Sequence, residues 1–187
     1  MNEQLRNMPK LNADGPTAPV KSFSPDPEHL RALRDAFGRF ATGVTVITTQ
    51  TQQGPVGMTA NSFSSISLDP ALVLWSPAIS SKRYEAFAKA DTFCIHILAD
   101  HQSAVAAHFA QRGDGFDRFD WTIGATGAPA LRHSLAEFHC QTYAVHPAGD
   151  HALILGEVKQ VNVSDCTRSG LLFERSAFAR STPLPDQ

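Results

Sequence analysis

The chain has little sulfur and no excess of either charge. Its three cysteines, Cys94, Cys140 and Cys166, are an odd number without CxxC spacing, which suits reduced thiols and excludes the disulfide scaffold of a small secreted domain. Lys and Arg number 16 against 18 Asp and Glu, a formal net charge of -2. Binding a polyanion through counterion release needs a clustered excess of cations, so nucleic acid is not expected as a partner. No apolar run approaches the roughly 18 residues that cross a bilayer. Residues 1–22 carry neither an apolar signal segment nor a cleavage pattern. The expectation is a soluble, cytoplasmic protein with no membrane segment.

Several catalytic signatures are missing too. There is no GxGxxG after a strand, no GxxxxGK[ST], no GxSxG and no HExxH, which removes the usual handles for Rossmann, P-loop, hydrolase-elbow and zincin chemistry. The eight histidines form no converging ligand set: neither His96, His101 and His108 nor His139, Cys140, His146 and His151 has the spacing of a zinc site. Asp114, Asp117 and Asp120 recur at three-residue steps, unlike a calcium loop, and read as a solvated acidic loop. No metal is expected. Cys94 and Cys140 lie within apolar strands and read as buried small hydrophobes rather than nucleophiles.

What is present is enough for one domain. With 187 residues, 42% of them hydrophobic, the chain can bury roughly 70% of its unfolded surface without a staple. Residues 1–24 are polar and proline-rich and read as a flexible N-terminal arm, residues 25–180 as the domain, and 181–187 as a C-terminal tail. Asp26 and Pro27 open a helix whose Leu30, Leu33, Phe37 and Phe40 form a stripe expected to pack on the core. From Val44 to Thr49 the period changes to two with β-branched residues, and residues 56–64 form a second strand of a hairpin. Residues 71–75 are a continuous apolar run expected as a buried central strand. Ser80 or Ser81 caps a short helix, and a strand spans residues 93–98. Asp100 caps a helix to about residue 110, and residues 111–127 form a long loop anchored by Trp121. Strands over about 134–145 and 151–163 flank a Pro-Ala-Gly-Asp turn, and 171–173 is the last strand. At least six strands with two or three helices and no strand–helix alternation predict a mainly β, antiparallel barrel with added helices.

Between Gly57 and Ser65, five hydroxyl or amide side chains alternate with Met58, Ala60 and Phe63. Neutral hydrogen-bonding groups of this kind hold a polar ligand through many weak contacts. Twenty residues on, Ser80, Ser81, Lys82 and Arg83 combine hydroxyls and cations suited to a phosphate. From the residues alone, a hydroxyl-rich strand followed by an ordinary capped helix is the readier reading.

Four blocks resolve this by likeness. FATGVTVITT at 40–49, GMTANSF at 57–63, SLDPALVL at 67–74 and GDH at 149–151 resemble, in order and spacing, the short-chain NAD(P)H:flavin oxidoreductase family, over about residues 30–178. The resemblance implies an FMN-binding, Greek-key split β-barrel, a homodimer with flavin near the interface, and service as the flavin reductase of a two-component monooxygenase. FMN or FAD would be bound, with NADH or NADPH as co-substrate. By the same resemblance, Pro55, Val56, Gly57, Met58, Thr59, Ala60, Asn61 and Ser62 border the flavin, Ser76, Pro77 and Ala78 continue that wall, and Ser80, Ser81, Lys82 and Arg83 meet the phosphate. His108 and Phe109 stand where the family has an Arg-Phe pair. His151 would position the nicotinamide as the catalytic histidine, and Phe173, Arg175 and Ser176 would help bind the dinucleotide. Glu174 and Ser176 depart from a Phe-Tyr-Arg-Gly-like stretch, and Ala71 replaces a frequent Pro. The departures fall on the dinucleotide side, which leaves open a flavin-binding carrier, sensor or oxidase without NAD(P)H reductase activity. A histidine-bound metal for hydrolysis is the other competing reading.

Overall fold

The computed structural model describes residues 18–182, so most of the expected arm (1–17) and the end of the expected tail (183–187) lie outside the described residues. Residues up to Arg34 form a small unit and those from Asp35 onward a large one. In the small unit Asp26 caps a 3-10 turn, its carboxylate accepting from the backbone N–H of Glu28 at 3.0 Å and of His29 at 3.1 Å. Helix α1 (Leu30–Phe37) follows.

The large unit holds twelve strands among the described residues: β1 (Thr42–Gly43), β2 (Thr45–Thr51), β3 (Gly54–Ala60), β4 (Ser64–Leu68), β5 (Ala71–Trp75), β6 (Thr92–Ile97), β7 (Trp121–Ile123), β8 (Pro129–Leu131), β9 (Ala136–Ala148), β10 (His151–Val163), β11 (Leu171–Glu174) and β12 (Ala177–Arg180). Two more helices, α2 (Tyr84–Ala88) and α3 (Ser103–Gln111), complete it. Seven strands form one sheet in the order β3-β2-β6-β9-β10-β5-β4, with small sheets β1-β11-β12 and β7-β8. Every pairing is antiparallel.

The order of the large sheet dictates its shape. Its two edge strands, β3 and β4, are consecutive in the chain and joined only by residues 61–63. Laid flat, seven strands would separate those edges by about 29 Å, whereas the connection reaches about 14 Å at full extension. The sheet must therefore curl into an open barrel with residues 61–63 crossing the split.

The curl creates two cores. Inside lie Ile47, Met58, Val73, Trp75, Phe87, Phe93, Ile95, Cys140 and Ile154. On the outer face Val44, Val46, Leu98, Ala106, Phe109, Phe116, Leu131 and Leu171 pack together. Strand β2 is thus buried on both faces, Ile47 inward and Val46 outward. Its buried hydroxyls are satisfied: Thr45 donates to the Ala60 carbonyl (2.6 Å), Thr48 to Pro129 (2.5 Å) and Thr49 to Thr92 (2.8 Å).

Several expectations need correction. The α1 stripe is not buried as expected: no residue of α1 is buried, and Phe37 and Phe40 are 68% and 77% exposed. Residues 71–75 form a strand, but β5 is next to the sheet edge rather than central, because β4 turns back beside it. Helix α2 has five residues and starts at Tyr84 with no side-chain cap; the Ser81 hydroxyl instead accepts from the Arg83 N–H at 3.3 Å. Asp100 does not cap α3. A 3-10 turn precedes that helix, Gln102 accepts from the Ala99 N–H at 3.0 Å, and Asp100 receives Arg168 at 3.4 Å. Strand β12 was not foreseen; its residues are all exposed, so their alternation carries no burial signal.

Candidate active site

A cleft of about 340 Å³ opens at the split, lined by Met58, Thr59, Ala60, Asn61, Ser62, Ser76, Pro77, Ala78, Ser81, Arg83 and His151. Each lining residue is one expected from the sequence. The wall is built from three chain segments brought together by the curl. The Ser76 N–H donates to the Ser62 hydroxyl at 2.9 Å, tying the β3–β4 connection to the end of β5. The Ile79 N–H donates to the Asp150 carbonyl (2.9 Å) and the Ala152 N–H to the Pro77 carbonyl (3.1 Å), with Ala78 bridged to His151. His151 is thereby fixed through its backbone to the opposite wall. Its Nδ1 lies 2.8 Å from Asp150 Oδ1.

The lining is chemically one-sided. Hydroxyls of Thr59, Ser62, Ser76 and Ser81, the Asn61 amide, a guanidinium and an imidazole are present, and no lining residue is Asp or Glu. Buried Met58 and Pro77 give it an apolar floor. A polar ligand held by neutral hydrogen-bonding groups fits such a set, and the volume lies at the small end of the roughly 300–1,000 Å³ of ligand pockets.

Behind the cleft, α3 is clamped to β3. Gly57 permits the contact, since a Cβ there would stand 2.4 Å from Phe109 Cδ1. The Thr59 hydroxyl donates to the Ala106 carbonyl at 2.7 Å and the Gly57 N–H to the Gly113 carbonyl at 2.8 Å. Arg83 closes the clamp. Its guanidinium donates to the carbonyls of Gly57 (3.2 Å), Phe109 (2.6 Å), Arg112 (3.1 Å) and Ala110 (3.1 Å). Three of these are at the C-terminal end of α3, where carbonyls lack helical partners.

Other expected residues stand outside the cleft lining. Pro55 and Val56 precede it on β3, and Val56 packs on the inner core. Gly57 faces Phe109, whose ring is wholly buried in the outer core. His108 Nε2 lies 2.7 Å from the Asp114 carbonyl, with the ring edge-on to Phe119. Ser80 and Lys82 are exposed on the 76–83 segment. Phe173 packs on the outer core, while Arg175 and Ser176 form the β11–β12 turn at φ 49° and 66°. Arg175 Nε is 3.6 Å from Glu174. The clamp through Arg83, Ala106 and Gly113 was not legible in the sequence, because carbonyl acceptors carry no side-chain signature.

Cys94, Cys140 and His96 are buried, and none of them lines the cleft. Burial raises both interior thiols, Cys140 to about 12 and Cys94 further, with Glu137 and Cys140 adding to the latter. His96 is fully buried; Leu131 donates its N–H to Nε2 at 3.0 Å, so Nδ1 carries the proton and donates to the Val46 carbonyl at 2.9 Å. Burial pushes its pKa down to about 4. Among the described residues no group of three or more His, Cys, Asp or Glu is placed to hold a metal ion, and no helix is long and apolar enough to cross a membrane.

Comparison with known proteins agrees with this geometry. Residues 37–182 match the family described as "Flavin reductase like domain". The chain is 48% identical over 158 residues, 84% of its length and 90% of the relative's, to "FMN reductase (NADH) SmoA" of Agrobacterium fabrum. It is 46% identical over 80% of its length to "Flavin-dependent trigonelline monooxygenase, reductase component" of Acinetobacter baylyi, spanning 48% of that longer relative. Its fold superposes on "Streptomyces globisporus C-1027 NADH:FAD oxidoreductase SgcE6" with a TM-score of 0.83 at 37% identity, covering 91% of this chain and 98% of that one; that oxidoreductase has also been solved with NAD and FAD fragments. Mostly β, antiparallel and split where its edge strands meet, this chain belongs to the flavin reductase-like family.

Proposed function

We propose that the protein is an NADH:flavin oxidoreductase that reduces FMN or FAD and releases reduced flavin to a partner monooxygenase. The observation that carries this reading is the cleft at the barrel split, lined by hydroxyls, one amide and His151 with no carboxylate among the lining residues. A bound flavin supplies the hydride acceptor, so the chain needs no nucleophile or strong acid of its own. Its contribution is alignment and shielding from water. Asn61, Ser62 and Ser76 hydrogen-bond the ring edge, Met58 and Pro77 support the ring plane, and Ser81 with exposed Lys82 meets the phosphate. Arg83 keeps α3 in place behind them. His151 positions the nicotinamide from the far wall.

NADH is favoured over NADPH because two of the named relatives are described as NADH enzymes. A homodimer accords with apolar side chains left uncovered in the single chain, Phe37, Phe40 and Leu68 on the edge strand β4. Replacing His151 with Ala tests the assignment: kcat/KM for NADH should fall about tenfold or more, while flavin affinity by fluorescence quenching stays within about twofold. Equal NADH rates in variant and parent would remove His151 from the account.

A further inference from the structure

His151 is the only histidine lining the cleft, and one of its nitrogens is already committed. Nδ1 is 2.8 Å from Asp150 Oδ1. An ionised carboxylate has only acceptor sites, so the proton of that bond belongs to Nδ1. In the neutral ring the other nitrogen, Nε2, then has a lone pair and no hydrogen. The backbone holds the pair in register: Asp150 and Ala152, on either side of His151, are both bonded to residues 77–79 of the opposite wall. The ring is 44% exposed, open to a ligand on its remaining edge.

We propose that Asp150 is a positioning residue that makes His151 an obligate acceptor, and that this acceptor selects the carboxamide of the dinucleotide over a carboxylate. The inference rests on the reading of His151 as the residue that meets the nicotinamide. A carboxamide presents N–H donors to Nε2. The corresponding acid, nicotinic acid, presents only acceptors, so its oxygen would face the Nε2 lone pair unpaired. Sites that hydrogen-bond a substrate amide reject the analogue lacking it because a site group is left without a partner. The one guanidinium in the lining offers a carboxylate little compensation, since Arg83 donates to four backbone carbonyls.

Two measurements test this. In protein with 15N-labelled histidine at a pH where the ring is neutral, Nε2 of His151 should give the signal of an unprotonated nitrogen, and Asp150→Ala should move it towards the mixed-tautomer position. In parallel, kcat/KM is compared for NADH and its nicotinic acid analogue. The parent should prefer NADH by about tenfold, mainly through KM. Asp150→Ala should bring the two within about threefold, and Asp150→Asn, whose carbonyl still accepts from Nδ1, should restore most of the preference.

A protonated Nε2 in the parent overturns the proposal, as does a preference unchanged by Asp150→Ala. An Asp150→Asn variant as unselective as Asp150→Ala would assign the effect to charge alone and also overturn it. Loss of NADH oxidation in the parent itself would instead refute the proposed activity, and the nitrogen signal would still decide the tautomer.

Discussion

Gly57→Ala isolates the clamp behind the cleft. A Cβ at residue 57 would lie 2.4 Å from Cδ1 and 2.6 Å from Cε1 of Phe109. Relief requires a displacement of about 1 Å between β3 and α3 to reach ordinary contact. Phe109 cannot yield alone, because its ring is wedged against His108, Phe116 and Phe119 at centroid distances of 5.0, 5.0 and 5.2 Å. Overpacking of this kind costs about 1–3 kcal/mol. Stretching the Thr59–Ala106 hydrogen bond costs about 1 kcal/mol more. For a domain of this size the total of about 2–4 kcal/mol lowers Tm by about 5–15 °C. Calorimetry of Gly57→Ala, Phe109→Leu and the double variant reads it directly. The double variant should regain at least about 1 kcal/mol relative to additivity, since the smaller side chain admits the new methyl. A Gly57→Ala protein with an unchanged Tm and weakened flavin binding would refute the steric argument and place Gly57 against the ligand instead.

Three further outcomes follow from individual contacts. Arg83→Lys keeps the charge but loses the planar fork that reaches four carbonyls; it should cost about 1–3 kcal/mol in urea melts, whereas a guanidinium acting only as a phosphate counter-charge would leave stability intact. His96 is held neutral, its pKa lowered from 6.5 to about 4. Because the folded value is depressed, its contribution is complete above pH 6.5 and is lost as pH falls towards 4, by roughly 3 kcal/mol. Urea melts at pH 7 and pH 4 should show this loss in the parent and a smaller one in His96→Gln; equal losses would assign it to other groups. Ser176 adopts φ 66° in the β11–β12 turn, a conformation that costs an L-residue about 1 kcal/mol, so Ser176→Gly should raise Tm by a few degrees, and a decrease would contradict the turn geometry.

The strands were legible because burial wrote a period of two into them, but the polar Thr59, Asn61 and Ser62 suited an ordinary hydroxyl-rich strand as well, and their reading as a ligand wall came from the family resemblance. His151 was singled out by the resemblance of the Gly-Asp-His turn, and the structure places it in the cleft lining. The sequence misled at α1, where Leu30, Phe37 and Phe40 recur at helical spacing but are exposed. A stripe records that a face is to be covered and not by what. Arg83 was legible as a cation near a hydroxyl pair, yet its partners are backbone carbonyls 26 to 29 residues away, a distance over which no local pattern acts. His108 and Phe109 were read together from the resemblance, and the fold separates them from the cleft by burying one and bonding the other to its own loop.

The central claim is tested most directly by mixing the purified protein with NADH, and separately NADPH, under anaerobic conditions with added FMN or FAD, following nicotinamide and flavin absorbance together. The account predicts catalytic, stoichiometric loss of both signals with NADH. Flavin that binds the protein and stays oxidised with NADH and with NADPH alike would contradict it.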